Sequence, residues 1–224
     1  MTRLELVTGE AGGDGPFSEG VPLPRTLPPG RHGIPANLVV EHQRLRLVVA
    51  MAEALAEHGY ASVTTTHVSE RANVSTSTFY KHFGNLWDCL LAAYVASADR
   101  LCEEIEAACA ARDPRAAPLA VGIDAALAFL SAEPALAQLL SAPAPLEAST
   151  VAAARRILIS RLAAMLRRGR GPSEVTPTLP GLDERLIDAG LAFVCMRVSA
   201  GEAERLPDFG PELTAILDRP RRAA

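Results

Sequence analysis

From Asn37 to Leu217 apolar residues return at every third or fourth position, and most such runs are closed by proline or glycine. No stretch alternates apolar and polar residues over the roughly four to eight positions a half-buried strand needs, so the pattern predicts helices only. The first helix reads about Leu38 to His58, with Leu47, Val48, Met51, Ala52 and Leu55 on one face and Gly59 suited to the left-handed residue beyond its end. Two short helices, Thr65 to Ala72 and Thr76 to His82, each follow a hydroxyl residue, Thr64 and Ser75, able to accept from first-turn amides. A long helix, Leu86 to Ala111, stops at Asp113-Pro114. Pro114 to Ser131, Pro134 to Ala142, Pro145 to Arg168, Leu182 to Ala200 and Pro211 to Leu217 bring the total to about nine.

Residues 1–36 break this pattern. Their runs GEAGGDGP and VPLPRTLPPGRHGIP hold glycine and proline too densely for a helix or a strand, and predict a disordered or irregular arm. Residues 37–84 and 85–224 then divide into a three-helix unit and a larger helical unit. In 224 residues, 49% hydrophobic content supplies a core and excludes disorder throughout. With 22 Lys and Arg against 26 Asp and Glu the net charge is −4, so any surface for a polyanion has to be local. Cys89, Cys102, Cys109 and Cys195 form no CxxC pair, which predicts reduced thiols. Apolar stretches break before the roughly 18 residues a membrane helix needs, and the N-terminus does not resemble a signal peptide. A cytoplasmic chain with no membrane partner is expected.

The two short helices carry the chemistry. A helix-turn-helix needs a scaffold helix, a tight turn, and a second helix whose free face can lie in the major groove. Val68 and Ala72 suit the buried side of the scaffold. Asn73 falls where the chain must turn and tolerates left-handed geometry, and Val74 fits the angle between the helices. On the second helix Phe79 and Phe83 form the buried side, leaving Thr76, Ser77, Thr78, Tyr80, Lys81 and His82 outward or oblique. Small hydroxyls approach base edges closely and a threonine methyl packs on thymine. Longer side chains and the helix start at Ser75 and Thr76 suit phosphates. Acids and bases balance across residues 37–83, so one copy should bind weakly and with strong salt dependence, which a dimer would remedy.

The run GYASVTTTHVSERANVSTSTFYKHF, after an amphipathic helix and before a long one, resembles the DNA-binding domain of TetR-family transcriptional regulators. The resemblance covers about residues 40–95. It implies an all-α homodimer that binds a palindromic operator in double-stranded DNA, usually as a repressor, and leaves it when a small-molecule effector enters the carboxy-terminal domain. It also implies that Thr76, Ser77 and Thr78 approach bases and that Tyr80 and His82 contact phosphates. Thr64 and Thr65 would add backbone contacts. Leu86 stands where the family often has lysine, and Asn73 where it often has glycine.

Other features have plainer readings. His32, His42, His58, His67 and His82 are scattered without zinc spacing, so no metal and no cofactor is expected. The run ARRILISRLAAMLRRGR reads as a packed helix with a solvated arginine face. Arg25, Arg31 and His32 in the arm could reach a minor groove, although a tail without a fixed role is the simpler reading. Tyr94, Phe129 and Met165 are candidates to line an apolar or amphipathic ligand's cavity. Leu186, Ala189, Phe193 and Met196 are candidates for a dimer seam. The competing functions are a helical enzyme and a ligand-binding protein without DNA affinity. No GxSxG turn, HExxH motif or phosphate-cradling glycine loop supports the enzyme.

Overall fold

The computed structural model describes residues 36–143, 149–169 and 180–218, and contains no strand among them. Nine α-helices occupy these residues: α1 (Ala36–His58), α2 (Thr65–Arg71), α3 (Thr76–His82), α4 (Leu86–Ala111), α5 (Pro118–Ala132), α6 (Pro134–Ser141), α7 (Ser149–Gly169), α8 (Leu182–Ser199) and α9 (Gly210–Asp218). A 3₁₀ segment, Ala203–Phe209, joins α8 to α9; its proline at Pro207 hid it from the periodicity. The N-terminal arm, with Arg25, Arg31 and His32, lies outside the described residues, as does Pro145 at the expected start of α7.

Local chemistry places the helix ends. Gly59 closes α1 at φ +71°, its N–H donating to the Leu55 carbonyl at 2.8 Å. α5 begins at Pro118 rather than Pro114, because Asp113 Oδ1 accepts from the Arg115 N–H at 2.7 Å and holds a turn there. Pro118 then takes the first helical position, where a missing N–H costs nothing. Pro134 does the same for α6, and the chain bends by 114° between α5 and α6. No single described helix is long and apolar enough to cross a membrane.

One continuous core joins the short-helix unit to the rest. The apolar stripe of α1 is fully buried, and the Cys89 thiol of α4 donates to the Leu47 carbonyl at 3.6 Å. Burial pushes that thiol up to about 12, so it stays protonated. α4 runs parallel to α7, with Asp99 against Arg161 at 2.5 Å and Glu106 against Arg168 at 3.5 Å. α8 returns antiparallel to α7, pairing Arg155 with Asp188 at 2.5 Å and Arg167 with Asp183 at 3.4 Å.

Candidate nucleic-acid interface and ligand cavity

The turn between α2 and α3 is built by three independent devices. Asn73 adopts φ +49°. Its N–H donates to the Glu70 carbonyl at 2.9 Å and the Val74 N–H to the Ser69 carbonyl at 3.0 Å, the paired bonds of a left-handed helix end. From α1, the Arg46 guanidinium donates to the Ala72 carbonyl and, at 3.2 Å, to that of Asn73. Val68 and Ala72 are buried as the sequence predicts, and Arg71 pairs with Glu53 and Glu57 on α1.

This turn sets α3 on the surface with one side anchored. Phe79 and Phe83 are buried, in ring contact at 5.7 Å, each contributing about 1.5–3 kcal/mol of apolar burial. Thr76, Ser77, Tyr80 and Lys81 are exposed, Tyr80 at 56%. Other members of the expected face have structural partners. Ser75 Oγ caps α3 by accepting from the Thr78 N–H at 3.1 Å and lies 2.8 Å from Ser77 Oγ and 2.9 Å from Thr78 Oγ1. Thr64 Oγ1 caps α2 by accepting from the His67 N–H at 3.2 Å, and Thr65 is half-buried. His82 is half-buried too, its Nε2 3.2 Å from Gln43 Oε1. Burial, Arg44 and Lys81 hold its pKa below the ordinary 6.5, so it is neutral at pH 7.

Sequence reasoning missed three residues of α1. Gln43 holds His82, Arg44 lays its guanidinium 4.8 Å from the Phe83 ring centroid beside α3, and Arg46 grips the turn. The signal was present: Gln43 and Arg44 lie one turn before Leu47 and Val48, so the buried stripe points them at α3. Arg46 and Arg71 are engaged within the chain, which leaves Arg44 and Lys81, among the described residues, as the exposed cations beside the outward face.

The second feature is an apolar cavity of about 740 Å³ among α4, α5, α7, α8 and α9. Its wall is aliphatic apart from Phe193 and Phe209, Cys109 and four charged residues: Glu106, Arg112, Arg168 and Glu212. Of the three candidates for a ligand wall, Met165 lines it. Tyr94 does not: it is fully buried in the core, its hydroxyl donating to the Leu140 carbonyl at 3.4 Å. Phe129 does not either; it faces a cleft between the short-helix unit and α4–α5, under the Arg100 guanidinium at 5.3 Å. Three of the four candidates for a dimer seam, Leu186, Ala189 and Phe193, are among the residues that line the cavity. Met196 is 57% exposed and Ala189 is also solvent-accessible. Among the described residues no group of three or more His, Cys, Asp or Glu could hold a metal; His58 and His67 stack on each other at 3.9 Å.

Residues 47–93 match the family model described as bacterial regulatory proteins, tetR family. No curated protein sequence matches the chain. Among solved structures, the chain is similar to the fatty acid degradation regulator FadR from Bacillus halodurans, with TM-score 0.66 and 17% identity over 79% of this chain and 98% of that one. It is also similar to the transcriptional regulator FadR from Bacillus subtilis in complex with stearoyl-CoA, with TM-score 0.62 and 20% identity over 77% and 96%. A TetR family transcription regulator from Marinobacter aquaeolei VT8 shares the fold at TM-score 0.57 and 14% identity, over 79% and 97%. A tetR-family sequence match thus spans the helix-turn-helix, and the helices that continue it are arranged as in those regulators, so the chain has their fold.

Proposed function

We propose that the chain is a cytoplasmic homodimeric repressor that binds a palindromic operator through α3 and is released by an amphipathic ligand with a long aliphatic body. Residues 37–84 serve as the DNA-binding unit and residues 85–224 as the dimerising and ligand-binding unit. The observation that carries the reading is the α3 face: Thr76, Ser77, Tyr80 and Lys81 exposed, and Phe79 and Phe83 buried behind them. Thr76 and Ser77 approach bases, while Tyr80, Lys81 and Arg44 hold phosphates. Thr64, Thr65, Ser75, Thr78 and His82 orient that face and add contacts near its edges. The dimer forms on the outer face of α7 and α8, where Ile157 and Met196 are 62% and 57% exposed. A long-chain acyl thioester is the favoured ligand, by similarity to the regulator seen with stearoyl-CoA and from the aliphatic wall.

The test is selection of bound duplexes from a random pool, followed by gel shifts. Wild-type protein should enrich an inverted repeat, and the Tyr80→Ala, His82→Ala double variant should lose it while remaining a dimer by size-exclusion chromatography. Wild-type-like shifts by that variant would refute the assignment of the face.

A further inference from the structure

The cavity differs between its two ends. At one end the carboxy-terminal turns of α4 and α7 bring Arg112, Arg168 and Glu106 to its rim, beside the start of α5. Gly169 lies there against the Leu119 backbone. α8 runs antiparallel to α7, so Phe193, in the later part of α8, lies away from Arg168, and Phe209 of the 3₁₀ segment, also in the lining, packs on it. We infer that Phe193 and Phe209, clasped by Arg197, form the end wall of the ligand cavity and set the longest aliphatic chain it accepts. The inference rests on the ligand reading proposed above and adds to it the residues that decide chain length.

The wall is fixed by its own contacts. The two rings meet edge to face at 5.1 Å, and the Arg197 guanidinium lies 5.2 Å from the Phe193 centroid and 4.5 Å from that of Phe209. Cation and rings attract through the ring quadrupole, and edge-to-face pairing adds to it. Arg197 also donates to Glu202 Oε2 at 2.6 Å. The end of α8 aims Glu202 there: Gly201 takes φ +75°, and the Glu202 N–H donates back to the Arg197 carbonyl at 2.9 Å. Leu206, fully buried, pins the segment that carries Phe209. An aliphatic chain entering from the arginine end passes a mainly aliphatic lining, with Cys109 and Glu212 among its polar members, and displacing these rings breaks the clasp.

The test is affinity for a ladder of saturated straight-chain acyl-CoA thioesters, decanoyl to eicosanoyl, by calorimetry on the full chain. While room remains, each added methylene should tighten binding by about fourfold, and the gain should stop at a defined length. Phe193→Leu should move that stop to longer chains and Phe193→Trp to shorter ones. Arg197→Gln should blur the stop by freeing both rings. Far-UV circular dichroism identifies folded variants, and a variant that misfolds is replaced by Phe209→Leu, for which the same lengthening is expected. A stop that stays at the same length in every folded variant overturns the wall alone. Absence of binding by the wild type at any length overturns the ligand reading and the wall with it.

Discussion

Arg46 is the side chain on which the pose of α3 most depends, and Arg46→Met isolates its contribution. Methionine keeps an unbranched apolar stem but cannot donate to the Ala72 and Asn73 carbonyls. A hydrogen bond from a charged donor is worth about 1.5–3 kcal/mol net. Arg46 is half-buried and the freed carbonyls regain some water, so a loss of about 1–2 kcal/mol is expected. For a chain of this size that lowers the melting temperature by about 3–6 °C. Affinity for the selected duplex should fall about tenfold, because a turn released from α1 no longer fixes the angle of α3. Arg71→Met is the control. It removes ion pairs to Glu53 and Glu57 at the surface, worth about 0.2–1 kcal/mol each. Thermal melts and gel shifts of both variants decide the matter. An Arg46→Met protein that melts within about 1 °C of wild type and shifts DNA equally well would refute this account of the turn.

Arg44→Ala should flatten the salt dependence of duplex binding by about 2 in the slope of log K against log salt for a dimer, one phosphate contact per protomer, measured by fluorescence anisotropy. Glu133 is pushed up to about 7 by burial, against the opposing pull of Arg100 and with a smaller push from Glu53. Its unfolded value lies near 4.5, so between these values the folded chain holds more protons than the unfolded one, and stability should fall as pH rises through that window. Glu133→Gln should remove the decline, with a gain on the order of 1 kcal/mol above neutrality in urea titrations.

Elements whose physics is local were legible in the sequence. The turn at Asn73, the caps at Thr64 and Ser75, and the buried pair Phe79 and Phe83 all follow from residue type and spacing, and the structure has each of them. Relations between helices distant in sequence were not legible. Leu186, Ala189 and Phe193 form a correct apolar stripe, yet periodicity cannot tell whether a stripe faces a cavity or a second copy. The same holds for Tyr94, which is buried in the core: a large aromatic on a buried face suits a pocket wall and a sealed core equally. The role of Arg46 was not legible because its partner, the Ala72 carbonyl, lies 26 residues away.

α4 is a single uninterrupted rod of 26 residues, about 39 Å long. It is capped at Asn85, three residues past His82, and ends at Ala111 beside the cavity's arginine rim. A pivot of about 5° about one tip carries the other through about 3 Å, comparable to the rise per base pair of B-form DNA. A rod of that kind magnifies angle into distance, so under the proposed mechanism a few degrees of rearrangement at the cavity would bring a reading head out of step with its groove.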